Sequence, residues 1–155
     1  MNRNRKIKSY TMHLNWSSEE VFPLLCPVVE YDWIEHWECE MIYTDSGIAE
    51  LDCIFKTSHT EGPPETWVVS KYNPPNYIEF VRVSSIKAIR YTIELMRQDD
   101  GSTKAIWRQV ITGLNDEGDA FVANYTDDIY NNTMDLLQRM INHYLATGEM
   151  LKVTK

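Results

Sequence analysis

The chain has 155 residues, 43% of them apolar and 25% charged, ordinary values for a water-soluble domain long enough to bury a core. Its 15 basic residues against 23 acidic ones give a net charge of −8, which argues against a nucleic-acid partner, since that needs a concentrated basic face. No stretch approaches about 18 consecutive apolar residues, and no apolar run follows the basic start Arg3-Asn4-Arg5-Lys6, so neither stable membrane insertion nor a secretory signal is expected.

Lys6 to Leu14 reads as a strand, with Lys8, Tyr10, Met12 and Leu14 toward a core and Lys8 at its edge. Ser17-Ser18-Glu19-Glu20 is a capping box that starts a short helix to about Leu25, and a second short helical turn follows over Val28 to Trp33, both bounded by Pro23 and Pro27. The period then changes to two. His36 to Thr44 alternates with Trp37, Cys39, Met41 and Tyr43 on one face. After the turn Asp45-Ser46-Gly47, Glu50 to Ser58 alternates with Leu51, Cys53, Phe55 and Thr57 inward. Glu61-Gly62-Pro63-Pro64 breaks the chain. Glu65 to Tyr72 is a strand rich in Trp and Val, and Asn73-Pro74-Pro75-Asn76 breaks it again. Tyr77 to Val83 and Lys87 to Met96 follow as strands. The turn Asp99-Asp100-Gly101 leads into a last strand, Thr103 to Leu114, with Ala105, Trp107, Gln109 and Ile111 on one face.

The remaining stretch, Asn115 to about Thr147, predicts one long helix. Val122, Tyr125, Ile129, Thr133, Leu136, Leu137, Met140 and Tyr144 share one stripe, which Tyr130, Met134 and Ile141 widen. Asn115 is a fitting N-cap, the acids Asp116, Glu117 and Asp119 suit the positive end of the dipole, and Gly148 suits the terminus. Such a helix would run about 45 Å, the full width of a domain of this size. Short connections imply antiparallel pairing throughout, and the apolar side of the sheet has only this helix large enough to cover it. The expected fold is α+β: one domain over residues 1–155, a seven-stranded curved antiparallel sheet around a long C-terminal helix, with two short helices between strands 1 and 2.

The order of elements resembles the START/Bet v 1-like superfamily, also called SRPBCC, in its polyketide cyclase/dehydratase-like branch. The phrases that carry the likeness are Ser17-Ser18-Glu19-Glu20-Val21-Phe22-Pro23-Leu24-Leu25, Tyr31-Asp32-Trp33 with His36-Trp37-Glu38-Cys39-Glu40, Trp67 through Pro75, and Ile111-Thr112-Gly113-Leu114-Asn115. The resemblance covers essentially the whole chain. It implies the helix-grip fold with a cavity between sheet and helix, shared by lipid-transfer domains, hormone receptors, cyclases and Hsp90-activator-like domains. No catalytic signature of the superfamily stands in the sequence, and no cofactor is expected.

Within that fold the inward aromatic and sulfur-bearing residues are the candidate ligand-binding set: Trp33, Trp37, Met41, Tyr43, Phe55, Trp67, Tyr91, Trp107, Tyr125 and Met134. Without the resemblance they would read as core packing; with it, they border a wedge of space, and their OH and NH groups can meet a ligand. Gln109 is the polar residue expected inward on the last strand, suited to orient a carbonyl or hydroxyl. Glu30, Asp32, Glu35, His36, Glu38 and Glu40 cluster around one histidine. They read as a solvated face, or as acid/base groups at a cavity mouth, with a metal site weighed and set aside. Cys26, Cys39 and Cys53 are odd in number and unpatterned, so free thiols and a cytoplasmic setting are expected; His13, His59 and His143 are scattered and carry no role. The first functional reading is a binding protein for a hydrophobic small molecule, serving transport or sensing. A cyclase- or dehydratase-like enzyme and an Hsp90-activator-like interaction module are the alternatives, and a homodimer is left open.

Overall fold

Alternating apolar side chains become one continuous sheet. In the computed structural model the described residues are 2–58 and 62–153; Glu61, the first residue of the break expected before the strand at Glu65, and His59, given no role, lie outside them. The strands are β1 (Arg5–Leu14), β2 (Glu40–Tyr43), β3 (Ile54–Thr57), β4 (Glu65–Asn73), β5 (Tyr77–Val83), β6 (Lys87–Arg97) and β7 (Thr103–Gly113). They lie in the order β1-β7-β6-β5-β4-β3-β2, every pair antiparallel. Between β1 and β2 come α1 (Ser18–Val21), a 3-10 turn (Phe22–Leu25) and α2 (Pro27–Trp33). The capping box is present: the Ser17 hydroxyl accepts from the Glu20 N–H while the Glu20 carboxylate accepts from the Ser17 N–H. Inward rows from β4, β6 and β7, including Trp67, Val69, Tyr91, Ile93, Trp107 and Ile111, are buried in a single core.

The terminal helix is not one rod. It divides into α3 (Asp116–Asn124) and α4 (Asp127–Thr147), with Tyr125 and Thr126 between. Asn115 caps α3 by accepting from the Gly118 N–H at 2.9 Å, and Gly148 ends α4 in the left-handed region at φ 74°, both as the sequence implies. The division has a local cause. Thr126 is itself an N-cap, its hydroxyl accepting from the Ile129 N–H at 3.2 Å, and Asp127 and Asp128 fill the first turn of α4. Strand β1 holds the gap. Lys6 Nζ donates to the carbonyls of Ala123 (3.2 Å) and Tyr125 (3.4 Å) at the end of α3, and buried Lys8 pairs with Asp127 at the start of α4. The Tyr10 hydroxyl donates to Asp135 about two turns further along. At 1.5 Å per residue α4 spans about 31 Å, not the expected 45 Å. Its buried line is Tyr130, Met134, Met140 and Ile141; Ile129, expected in the stripe, is 49% exposed.

Two strands are shorter than their alternation implies. β2 covers four residues, with a register irregularity between Met41 and Tyr43, and β3 begins only at Ile54 because Asp52 turns the chain at φ 69°. Leu51 is therefore 52% exposed rather than inward. At the opposite edge of the site, α3 approaches the sheet through two glycines. A Cβ on Gly118 would stand 1.8 Å from the Ile86 carbonyl oxygen, and one on Gly113 would stand 2.7 Å from the Asp119 backbone nitrogen. This contact fixes α3 over the β5–β6 turn.

Candidate ligand cavity

The gap between sheet and helices holds a cavity of ≈ 650 Å³, within the range of small-molecule sites. The sheet supplies its floor through Phe55, Trp67, Phe80, Tyr91, Ile93 and Trp107. Phe121 of α3, Tyr125 at the break, and Ile129, Tyr130, Met134 and Leu137 of α4 form the roof, while Glu30, Trp33, Ile34 and Trp37 of the α2 segment close one side. The rings interlock. Phe55 stacks on Trp67 with centroids 5.2 Å apart, Phe80 meets Phe55, Trp67 and Tyr91 edge-on, and Tyr91 meets Trp107 at 5.9 Å. The break between α3 and α4 contributes directly: it turns Tyr125 toward the space, stacked on Phe121 at 5.4 Å and edge-on to Tyr130 at 6.3 Å.

Of the expected binding residues, Trp33, Trp37, Phe55, Trp67, Tyr91, Trp107, Gln109, Tyr125 and Met134 line this cavity; Met41 and Tyr43 do not. Tyr43 is 58% exposed and its hydroxyl donates to Asp45 at 2.8 Å. Met41 is half-buried against the core without reaching the cavity, and Tyr43 turns to solvent beyond the register irregularity of this short edge strand. Most of the tryptophan N–H groups are already committed to the protein. Trp33 donates to the Leu24 carbonyl (2.8 Å), Trp37 to the Pro27 carbonyl (2.9 Å) and Trp67 to the Thr57 hydroxyl (2.8 Å). Trp107 Nε1 and the Tyr130 hydroxyl are buried without a hydrogen-bond partner among the described residues, and both residues line the cavity. Gln109 sits opposite Tyr91 in the β6–β7 register; burial drives the Tyr91 phenol far up, and a bond with Gln109 only partly offsets it.

The acidic cluster separates into unlike parts. Asp32, Glu38 and Glu40 are exposed, and the backbone N–H of Val153 donates to Glu35 at 2.9 Å. His36 turns the chain at φ 63° beside Glu35, with Nε2 to Oε1 3.6 Å, at the cavity rim. Of the acids in this cluster Glu30 and the exposed Glu38 line the cavity, and burial pushes the Glu30 carboxyl up to about 8 against the pull of Arg82. No group of three or more metal-ligating side chains occurs among the described residues, and Cys26, Cys39 and Cys53 are free thiols.

Sequence reasoning missed one group altogether. Glu65, Arg82 and Lys87 also line the cavity. Arg82 grips Glu65 with two hydrogen bonds, one of them Nε to Oε2 at 3.0 Å, and lies 4.1 Å over the Trp67 ring. The available signal was period two: Glu65 precedes buried Trp67 and Val69, and Lys87 precedes buried Ile89 and Tyr91, on the same faces.

No family model matches the sequence, and no curated protein matches it significantly. Solved structures do. SA2116 from Staphylococcus aureus superposes with a TM-score of 0.70 at 10% identity, covering 94% of this chain and 96% of that one. Ara h 8.0201 gives 0.64 at 11% identity, covering 93% of this chain and 99% of that one. DynU16, a protein of the dynemicin biosynthetic locus, gives 0.58 at 11% identity, covering 92% of this chain and 48% of its own length. At such identities the likeness is one of fold: seven antiparallel strands curved about a long C-terminal helix, with two short helices after the first strand.

Proposed function

From the helix-grip fold of the START/Bet v 1-like superfamily, we propose that residues 1–155 act as one domain that binds a hydrophobic small molecule between the sheet and the C-terminal helices, for transport or sensing. One observation carries this reading: the ≈ 650 Å³ cavity runs through an aromatic lining and is not filled by side chains. Burying apolar ligand area there is worth about 25 cal/mol per Å² before the costs of association. Trp107 Nε1 and the Tyr130 hydroxyl supply unused hydrogen-bonding groups to orient the guest. Three free thiols suit a reducing compartment, which we take to be the cytoplasm. An unfilled cavity counts against the interaction-module alternative, which uses an outer surface.

The experiment is native mass spectrometry of the purified protein with extraction of bound compounds, followed by thermal melts against a panel of lipids and aromatics. Trp107→Ala and Tyr125→Ala are expected to weaken binding more than Glu40→Ala, a change at an exposed strand end. A protein that carries nothing and is stabilised by no compound would end the proposal.

A second reading, a cyclase- or dehydratase-like enzyme, is favoured by Glu30, a carboxyl that stays protonated at neutral pH inside the cavity and can donate a proton. The dynemicin locus of DynU16 is consistent with it. Loss of turnover in Glu30→Gln with retained binding would establish that reading over the first.

A further inference from the structure

At one end of the cavity, among the described residues, two cations meet a single ionised carboxylate. Glu65 opens β4, Arg82 lies near the end of β5, and Lys87 opens β6, so the three meet where those strands terminate. Glu65 is 1% exposed and Lys87 5%. The Glu65 carboxylate is gripped at both oxygens by Arg82, which places that guanidinium and that carboxylate in a neutral pair. Lys87 is left over. Its Nζ stands 3.9 Å from Glu65 Oε2, beyond hydrogen-bond distance, and 4.5 Å from the centre of the Phe121 ring. Among the described residues its ammonium makes no hydrogen bond, and burial holds its pKa below the ordinary lysine value. Among the described residues two cations face one ionised carboxylate here, while Glu30 on the α2 side of the cavity holds its proton near neutral pH and Glu38 is exposed, so this end of a mostly apolar space carries a single positive charge. An ammonium that borders an apolar space with only a long ion pair to a carboxylate shared with Arg82 is poorly compensated, and a group that supplies a close acceptor recovers part of that cost.

We infer that this end of the cavity is a head-group subsite for an amphipathic carboxylate, with Lys87 as the binding residue and the aromatic lining as the seat of the apolar body. The inference rests on the small-molecule reading above and narrows its ligand class. The charge count selects the head. A monoanion neutralises the leftover cation, whereas a dianion such as a phosphate monoester would overshoot it against the fixed negative charge of Glu65. Phe121 covers the ammonium from α3, so the head meets the cation away from bulk water, where a charge-assisted bond is strong.

The test compares three probes of equal chain length, dodecanoate, 1-dodecanol and dodecylamine, by displacement of the uncharged dye Nile red from the full chain. Dodecanoate is expected to bind about tenfold or more tighter than 1-dodecanol, and dodecylamine weakest. Lys87→Met leaves the Arg82–Glu65 pair neutral; it should erase the carboxylate preference by weakening dodecanoate while sparing 1-dodecanol. Equal affinities for acid and alcohol, or a preference for the amine, would overturn the subsite and leave the binding reading intact. Binding of none of the three would remove both. A preference that survives Lys87→Met would overturn the assignment to Lys87. If that variant does not fold, Lys87→Gln takes its place, and the wild-type ranking of the three probes decides the head-group class.

Discussion

Glu30 shows what a cavity does to a single side chain. It lines the apolar space from α2, and burial moves its carboxyl from an ordinary 4.5 to about 8. The folded protein therefore holds a proton that the unfolded chain releases near 4.5, so this residue's contribution to stability is full below 4.5 and is lost as pH rises through about 8. Each unit of displacement is worth about 1.4 kcal/mol, and partial solvent contact of the side chain reduces the total to about 2 kcal/mol. Glu30→Gln should accordingly be more stable than the parent at about pH 9 by that amount, and close to it at about pH 4, in urea denaturation curves. The Tyr130 hydroxyl poses the opposite case. Buried without a partner among the described residues, it is an expense to the empty protein. Tyr130→Phe should leave the empty protein as stable or up to about 1 kcal/mol more stable, while weakening any guest that bonds to the hydroxyl, by paired melts and titrations. At this scale the sequence was legible where large rings alternate, as with Trp67, Tyr91 and Trp107. It was not legible where charge sits on the same rows: Glu65 and Lys87 follow the inward period, but a charged side chain at a strand's first residue does not itself mark a face.

Among the elements, α3 carries a prediction of its own. Gly118 lets the helix rest against the β5–β6 turn, with the Ile86 carbonyl oxygen where a Cβ would sit. Gly118→Ala gains helix propensity but meets backbone rather than a yielding side chain, so the net effect should be destabilising by about 1–3 kcal/mol, measured by urea denaturation. The break after α3 was the main element the sequence obscured. Val122, Tyr125 and Ile129 keep helical spacing straight through it, and the eye follows the stripe. Thr126-Asp127-Asp128 is nonetheless a start signal, and inward-facing Lys6 and Lys8 on β1 are the groups that satisfy the two new helix ends. β2 fails differently. Its alternation is real on paper, but an edge strand of four residues has solvent on both sides of Tyr43 and little core to select a face.

For the molecule as a whole, the arrangement of layers follows from counting apolar faces: a curved antiparallel sheet has one to hide, and the C-terminal segment hides it. Whether side chains fill the space beneath is not written in period or composition, because the same rings that pack a solid core also border a void. An occupied cavity should tie roof to floor. Hydrogen exchange at the α3–α4 break and the first turn of α4 is expected to slow when the best-binding compound of the panel is present, while exchange in β6 and β7 stays unchanged.

The pairing of β1 with β7 matters before the molecule exists in final form. Arg5 lies beside Thr112, so β1 waits for the last strand of the sheet before it gains its neighbour. Until then β2 to β7 can assemble hairpin by hairpin, but their aromatic row stands open to water on a nascent chain. The same strand carries Lys6 and Lys8 to the helix ends, so its pairing with β7 and the seating of the roof are coupled. An apolar compound or a chaperone that meets the chain in that interval would find the aromatic row of β4, β6 and β7 uncovered.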